Sequence, residues 1–451
     1  MDSVNKQIIV KALPAIMLFI AIHSVIVHSK YIVMENVLNN TTVWWAISGL
    51  TLIIFLASAY HFHEQRNNRR MTFLLIYILW NAICIIRGAF VAEIYWDWKA
   101  LIGNTMILML PVAAYAATNI ILVQSLLAYY VKYVLPLFLF FAFVIRTDAW
   151  GFYLMGVSLL LIFTPALTNR QRLLLIVFTI VVFAADLGAR SNIIKFGVPV
   201  IFLSFFYLRN IISNRPIEVL RNIFFILPLI FFILGVTNLF NVFNMNDYLK
   251  KEVTSTGVNI YGERSEVSLT VDTRTFLYEE VLQSAKHNNY WMLGRTPARG
   301  NDSMTFGLMG FESTGRYERV TNEIGLANVF TWTGIVGVIL YLALFYHASF
   351  LAVNRSNNIY VKILGLYIAF RWLFSWIEDY QDFTLNFLLL WIMIGLCLSD
   401  SFRKMTDDEV AFWARGIFDA RYVRFQSLLI KKSLYEKSKD SGAADLPQQE
   451  G

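Results

Sequence analysis

Long apolar runs separated by short polar gaps fill most of the chain. The runs are close to the roughly 20 residues that a helix needs to cross about 30 Å of hydrocarbon. They fall at 7–27, 43–60, 71–92, 101–118, 128–146, 150–167, 171–188, 192–208, 222–243, 326–349, 360–377 and 384–400. The pattern predicts an all-α polytopic membrane protein of about twelve transmembrane helices. One interval breaks the rhythm. Residues 244–325 form a long polar stretch, read as one large loop containing short helices. After residue 400 the pattern changes again. Thr406 and Glu409 make a capping box, and Val410 to Leu434 alternates apolar and basic residues at helical spacing. That stretch is expected to lie along the cytoplasmic membrane face, with a disordered end from about Lys439.

Basic residues orient the spans. Alternate gaps hold Arg66, Arg69 and Arg70, then Arg170 and Arg172, then Arg209, Arg215 and Arg221, then Arg355. The opposite gaps are acidic, with Glu93 and Asp97, then Glu378, Asp379 and Asp382. The expectation is that both termini are cytoplasmic and that the loop lies on the opposite face. The first span lacks a small-residue cleavage site and is read as a retained helix.

Composition agrees with this class. Hydrophobic residues make up 57% and charged residues 15%, against about 25% charged in soluble domains. The net charge of +7 suits basic rims against anionic lipid and calls for no nucleic acid. The two cysteines, Cys84 and Cys397, fall inside apolar runs, so core positions and no disulfide are expected.

Charges within spans are costly and mark function or pairing. Lys11, Arg87, Asp186, Lys195 and Arg371 qualify. Asp186 and Arg190 are four apart, the spacing of a helical ion pair. The alternative reading aims Arg190 at a phosphate. The loop carries Arg264, Arg274, Arg295, Arg299, Arg316 and Arg319, and arginine grips phosphate and pyrophosphate in a bidentate manner. Asp272 reads as the N-cap of a helix running to about His287, with Arg274 in its first turn and an apolar face of Phe276, Leu277, Val281, Leu282 and Ala285. Tyr290 and Trp291 suit either a bilayer-interface anchor or sugar stacking. Glu323, where the loop re-enters the membrane, is either a partly buried general base or a helix-terminal acid. There is no phosphate-binding glycine loop followed by Lys-Ser/Thr, no clustered His/Cys set and no Gly-x-Ser-x-Gly turn. No cofactor or metal is expected.

Four stretches together are similar to the O-antigen polymerase and O-antigen ligase superfamily of bacterial inner membranes. They are the Ala189-Arg190-Ser191 turn, the Arg274 helix, the Trp291-Met292-Leu293-Gly294-Arg295 turn, and the loop exit leading into Gly334-Ile335-Val336-Gly337-Val338. The resemblance covers about residues 170–345 and implies a metal-independent glycosyltransferase with a periplasmic loop. Its donors are glycans on undecaprenyl pyrophosphate, and a chain-length regulator is a candidate partner. Arg190, Arg274 and Arg295 would hold the pyrophosphate. The ligase branch carries a His-Asn pair where this chain has Glu323-Ile324. The carboxylate in its place makes Glu323 the candidate base. It also favours polymerisation of repeat units into O-antigen, capsule or exopolysaccharide over ligation of finished glycan to lipid A-core. A lipid-linked oligosaccharide transporter or flippase is the reading from another class. It would more often show related halves and broken helices near the midplane.

Overall fold

The computed structural model describes residues 2–31, 40–62, 69–186, 189–209, 211, 214–237, 239–244, 254–258, 264–268 and 274–422. The chain is mostly helical. In order, the first helices are α1 (Asp2–Val27), α2 (Thr41–Phe62), α3 (Thr72–Val91), α4 (Tyr95–Met109) and α5 (Ala113–Ala116). They are followed by α6 (Ile120–Tyr129), α7 (Leu135–Phe141), α8 (Trp150–Tyr153), α9 (Met155–Leu161), α10 (Asn169–Ala185), α11 (Arg190–Tyr207) and α12 (Arg215–Val236). The long loop holds an antiparallel pair β1 (Thr254–Val258) and β2 (Arg264–Ser268), then α13 (Thr275–His287), β3 (Asn301–Asp302), α14 (Gly307–Thr314) and β4 (Glu318–Arg319), which pairs with β3. The chain returns through α15 (Gly325–Asn354), α16 (Ile359–Phe374), α17 (Leu385–Leu398), α18 (Asp400–Lys404) and α19 (Asp407–Phe418).

Among the described residues, six segments are long and apolar enough to cross a membrane: Thr41–His61, Thr72–Val91, Tyr95–Ala116, Ile120–Phe141, Arg215–Val236 and Gly325–Asn354. At the centre of the bundle, every residue of α17 is buried, against α5, α9, α15 and α16, and all but two of α16 are, between α15, α12 and α11.

Local sequence explains where helices depart from the apolar pattern. The expected run 222–243 is displaced toward the N-terminus, because Pro216 fits a first helical turn and α12 therefore starts at Arg215. Arg221 then lies inside the helix, buried, and donates to Asn354 Oδ1 while packing over the Tyr346 and Phe350 rings. The run 150–167 is not one helix. It breaks between α8 and α9 and ends in a 3-10 turn at Thr164–Ala166, which contains Pro165. This irregular backbone sits almost entirely inside protein, where its polar groups find partners. Near α7, Pro136 lacks an N–H and crowds the carbonyl four residues before it, and the helix widens to a π-turn at Tyr130–Val134.

The expected capping box forms, with Thr406 and Glu409 bonded reciprocally. The helix it starts does not lie free on a membrane face. The apolar side of α19, with Val410, Trp413, Ala414 and Ile417, is buried. The Trp413 indole donates to Ile120 O at 2.9 Å, and Arg415 donates to Ala166 O at 2.7 Å. The remainder of the predicted tail lies outside the described residues. Cys84 and Cys397 are buried, as their positions in apolar runs predict.

Candidate functional site

Helix α13 is amphipathic. Leu277 and Val281 seat it on Ile324 and Ala327 at the start of α15. This packing fixes the N-terminus of α13 beside the point where the loop re-enters the bundle. Asp272, the expected N-cap, lies outside the described residues; Arg274 itself holds the N-cap position. Its Nη1 donates to Glu323 Oε2 at 2.7 Å, and its Nε donates to Ile377 O at 3.0 Å. Arg319 Nη2 donates to the other carboxylate oxygen of Glu323 at 3.1 Å. The Arg319 guanidinium stacks on Phe306 with its centre 4.2 Å from the ring. Its Nη1 is buried and has no hydrogen-bond partner among the described residues. Two cations thus face one carboxylate among the described residues, and Arg319 keeps an open donor.

Of the two readings of Glu323, a partly buried base or a helix-terminal acid, the structure does not give the buried one. Its side chain is 51% exposed and bridges the two arginines. Arg295, by contrast, is taken up by the loop. Its Nη1 donates to Gly300 O at 2.8 Å and Asp302 Oδ1 at 2.7 Å, and its Nη2 to Glu318 Oε1 at 3.0 Å. Arg299 shares Glu318. These contacts brace the turn and the β3–β4 pair, and they do not bring Arg295 to the Arg274–Glu323–Arg319 cluster.

Asp186 and Arg190 do not share a helix. The chain leaves helical geometry at Asp186, and Arg190 is the first residue of α11, so the i,i+4 helical pairing expected of them does not apply. Gly188 lies outside the described residues. One turn into α11, Lys195 is buried. Its Nζ donates to Ser191 Oγ at 2.6 Å and pairs with Glu378 Oε1 at 3.6 Å. Glu378 follows Ile377, whose carbonyl receives Arg274. The segment after α16 therefore connects the Arg190 helix to the Arg274 cluster.

The other charges within spans also find protein partners. Arg87 donates to Leu293 O at 2.5 Å and Gly294 O at 3.2 Å. Arg371 is fully buried, donates to Asn386 Oδ1 at 2.8 Å and stacks on Tyr380. The Lys11 side chain lies outside the described residues.

A cavity of about 680 Å³ opens beside the cluster. Leu227, Phe231 and Phe232 of α12, Tyr278 of α13 and Trp376 line it, and Thr275 and Ile377 connect it to Arg274. Its size lies in the range of small-molecule sites, about 300–1,000 Å³. Its walls are mainly apolar, with Asn241, Thr275, Glu279 and Gln283 as polar lining residues, and Arg274 adjoins it through Thr275. The pairing of Arg319 with Glu323 was missed in the sequence. A four-residue spacing was its only signal, and no helix connects these residues. The chain matches no protein-family model, no curated protein and no solved structure.

Proposed function

We propose that the chain is a membrane glycosyltransferase that joins oligosaccharide repeat units carried on undecaprenyl pyrophosphate. In this reading it crosses the bacterial inner membrane about twelve times and works on the periplasmic face. The observation that carries the reading is the apposition of a cationic cluster and an apolar cavity. Arg274 and Arg319 offer charge-assisted donors to a pyrophosphate, and the cavity offers an apolar wall to the first isoprene units. Contacts between gaps support the topology. Arg70 pairs with Asp400, Arg209 with Asp407, and Arg403 donates to Arg355 O, which gathers the basic gaps and the tail at one end. Arg316 pairs with Glu93 and Asp97, which gathers the acidic gap and the loop.

In the resting site Glu323 is the anion. An arriving pyrophosphate replaces it as partner of Arg274 and Arg319 and frees its carboxylate. Glu323 then accepts the proton of an acceptor-sugar hydroxyl. The hydroxyl oxygen bonds to the anomeric carbon of the donor glycan. The bond from that carbon to the pyrophosphate oxygen breaks, and its electron pair leaves with the pyrophosphate. The arginines stabilise the charge that develops there. Arg190 enters this scheme through α11, which Lys195 and Glu378 connect to the cluster.

The test is a gel of surface polysaccharide from a deletion strain complemented with wild type or Arg274→Ala. The polymerase reading expects the variant to lose the ladder and keep a single repeat unit on its acceptor. Long polymer retained on the undecaprenyl carrier, with none transferred, assigns ligation instead. A full ladder at normal protein level removes Arg274 from the mechanism.

A further inference from the structure

Residues 291–298 belong to the polar loop by sequence, yet they are sunk among three of the membrane-length helices. Helix α15 is interrupted at Gly334, whose φ of 69° and ψ of −172° are not helical. The turn fills the interruption. Ile335 N donates to Trp291 O at 2.9 Å, Val336 N to Met292 O at 3.3 Å, and Arg295 N to Thr331 O at 2.7 Å. From α3, Arg87 takes the carbonyls of Leu293 and Gly294, and the Trp80 indole takes Thr333 O at 3.0 Å. From α4, Asn104 donates to Pro297 O at 2.8 Å.

Depth follows from helix rise. At about 1.5 Å per residue, Arg87 lies about 6 Å and Trp80 about 16 Å from the end of α3. Asn104 lies about 14 Å from the start of α4, and Gly334 about 14 Å from the start of α15. Helices α3 and α4 thus place the turn in the loop-side half of a hydrocarbon core about 30 Å thick; α15, with 30 residues, is longer than that core and fixes no depth from its start. Irregular backbone survives at that depth only if protein satisfies its polar groups, and here the carbonyls of 291–294 and 297 all have protein donors. Gly294, Thr296, Pro297 and Ala298 are buried. Met292 and Leu293 are the exceptions, 59% and 47% exposed.

We infer that residues 291–298 form a re-entrant turn within the loop-side half of the bilayer, with Met292 and Leu293 facing lipid acyl chains. The exposed row on α3, which includes Ile83, Ile86 and Phe90, continues the same apolar surface, so lipid is its occupant. Membrane contact by the loop thus falls to Met292 and Leu293, whereas Tyr290, which the sequence offered with Trp291 as an interface anchor or a sugar-stacking ring, is buried against Phe330. The inference rests on these helices crossing a membrane and is independent of the proposed chemistry.

The test reconstitutes the full wild-type chain in phosphatidylcholine–phosphatidylglycerol vesicles containing a phospholipid with a diazirine on its acyl chain. After illumination, adducts are mapped by mass spectrometry. Adducts on Met292 or Leu293 and on Ile83, with none on exposed Thr305, are expected. Labelling of Ile83 with none at 292–293 would overturn the inference. A nitroxide on Leu293→Cys gives a second reading. Stronger broadening by oxygen than by a water-soluble nickel chelate agrees with the turn's depth, and the reverse order contradicts it.

Discussion

Arg274 and Glu323, 49 residues apart in sequence, form an ion pair of 2.7 Å. The pair closes the gap between the N-terminus of α13 and the start of α15. It also makes the candidate base the resting occupant of the candidate anion site. Substrate binding is then an exchange of anions, and the two residues should fail differently. Arg274→Ala is expected to weaken binding of undecaprenyl pyrophosphate by about 10- to 100-fold, the effect of losing charged hydrogen bonds. Glu323→Gln removes the competing anion, so binding should hold or tighten while turnover falls by about 10²- to 10⁴-fold. Titration with labelled lipid and a separate turnover assay distinguish the two. Weaker binding in Glu323→Gln would count against the exchange.

Gly334 and Gly294 both have positive φ and meet backbone to backbone. A methyl group on Gly334 would press on Met292 O, and one on Gly294 on Thr333 N and Gly334 N. Each alanine variant is expected to lose about 1–3 kcal/mol from backbone strain alone, read as a lower melting temperature in detergent. Gly103→Ala is the comparison. Nothing lies within 4 Å of its added carbon, and helix propensity favours alanine by about 1 kcal/mol, so it should be neutral or stabilising.

Arg316 ties the loop to the α3–α4 turn through Glu93 and Asp97. Asp97 is buried and Arg316 is partly exposed, so Arg316→Ala leaves that carboxylate with the Glu93 and Ile94 amides and without this cation. The expected loss is about 1–3 kcal/mol, with faster proteolysis between α14 and β4. Asp97→Asn should recover part of it in the double variant, which a mutant cycle measures.

Asp379 predicts a pH dependence. Burial first, and then the neighbouring Asp382 carboxylate, push its carboxyl up to about 8. A group that holds its proton more tightly when folded favours the fold at low pH. That contribution declines as pH rises from about 4 to about 8 and is gone above it. Asp379→Asn should flatten the melting temperature over this window, with its greatest relative stabilisation above pH 8. An unchanged slope would remove Asp379 as its source.

Apolar spacing located the helices because burying or exposing a whole face is a sum over many residues. It misplaced α12 because Arg221, read as a polar boundary, is satisfied inside the helix by Asn354 and two aromatic rings. The sequence singled out both Arg274 and Arg295, with Arg295 the weaker candidate. What separates them is long-range pairing: Asp302 and Glu318 occupy Arg295, while Arg274 faces Glu323 at the cavity. The Trp291–Arg295 turn and the two glycines of Gly334–Gly337 within a span were each visible. Their contact was not, because strand-like backbone bonds between distant segments leave no local pattern.

The most direct measurement is polymerisation by the purified chain in vesicles supplied only with undecaprenyl-pyrophosphate-linked repeat units. The account predicts a ladder of products and release of undecaprenyl pyrophosphate, without nucleotide or added metal, both lost in Arg274→Ala. Tight binding of the donor with no product from the wild type, or transport of it across the bilayer unchanged, would contradict the account.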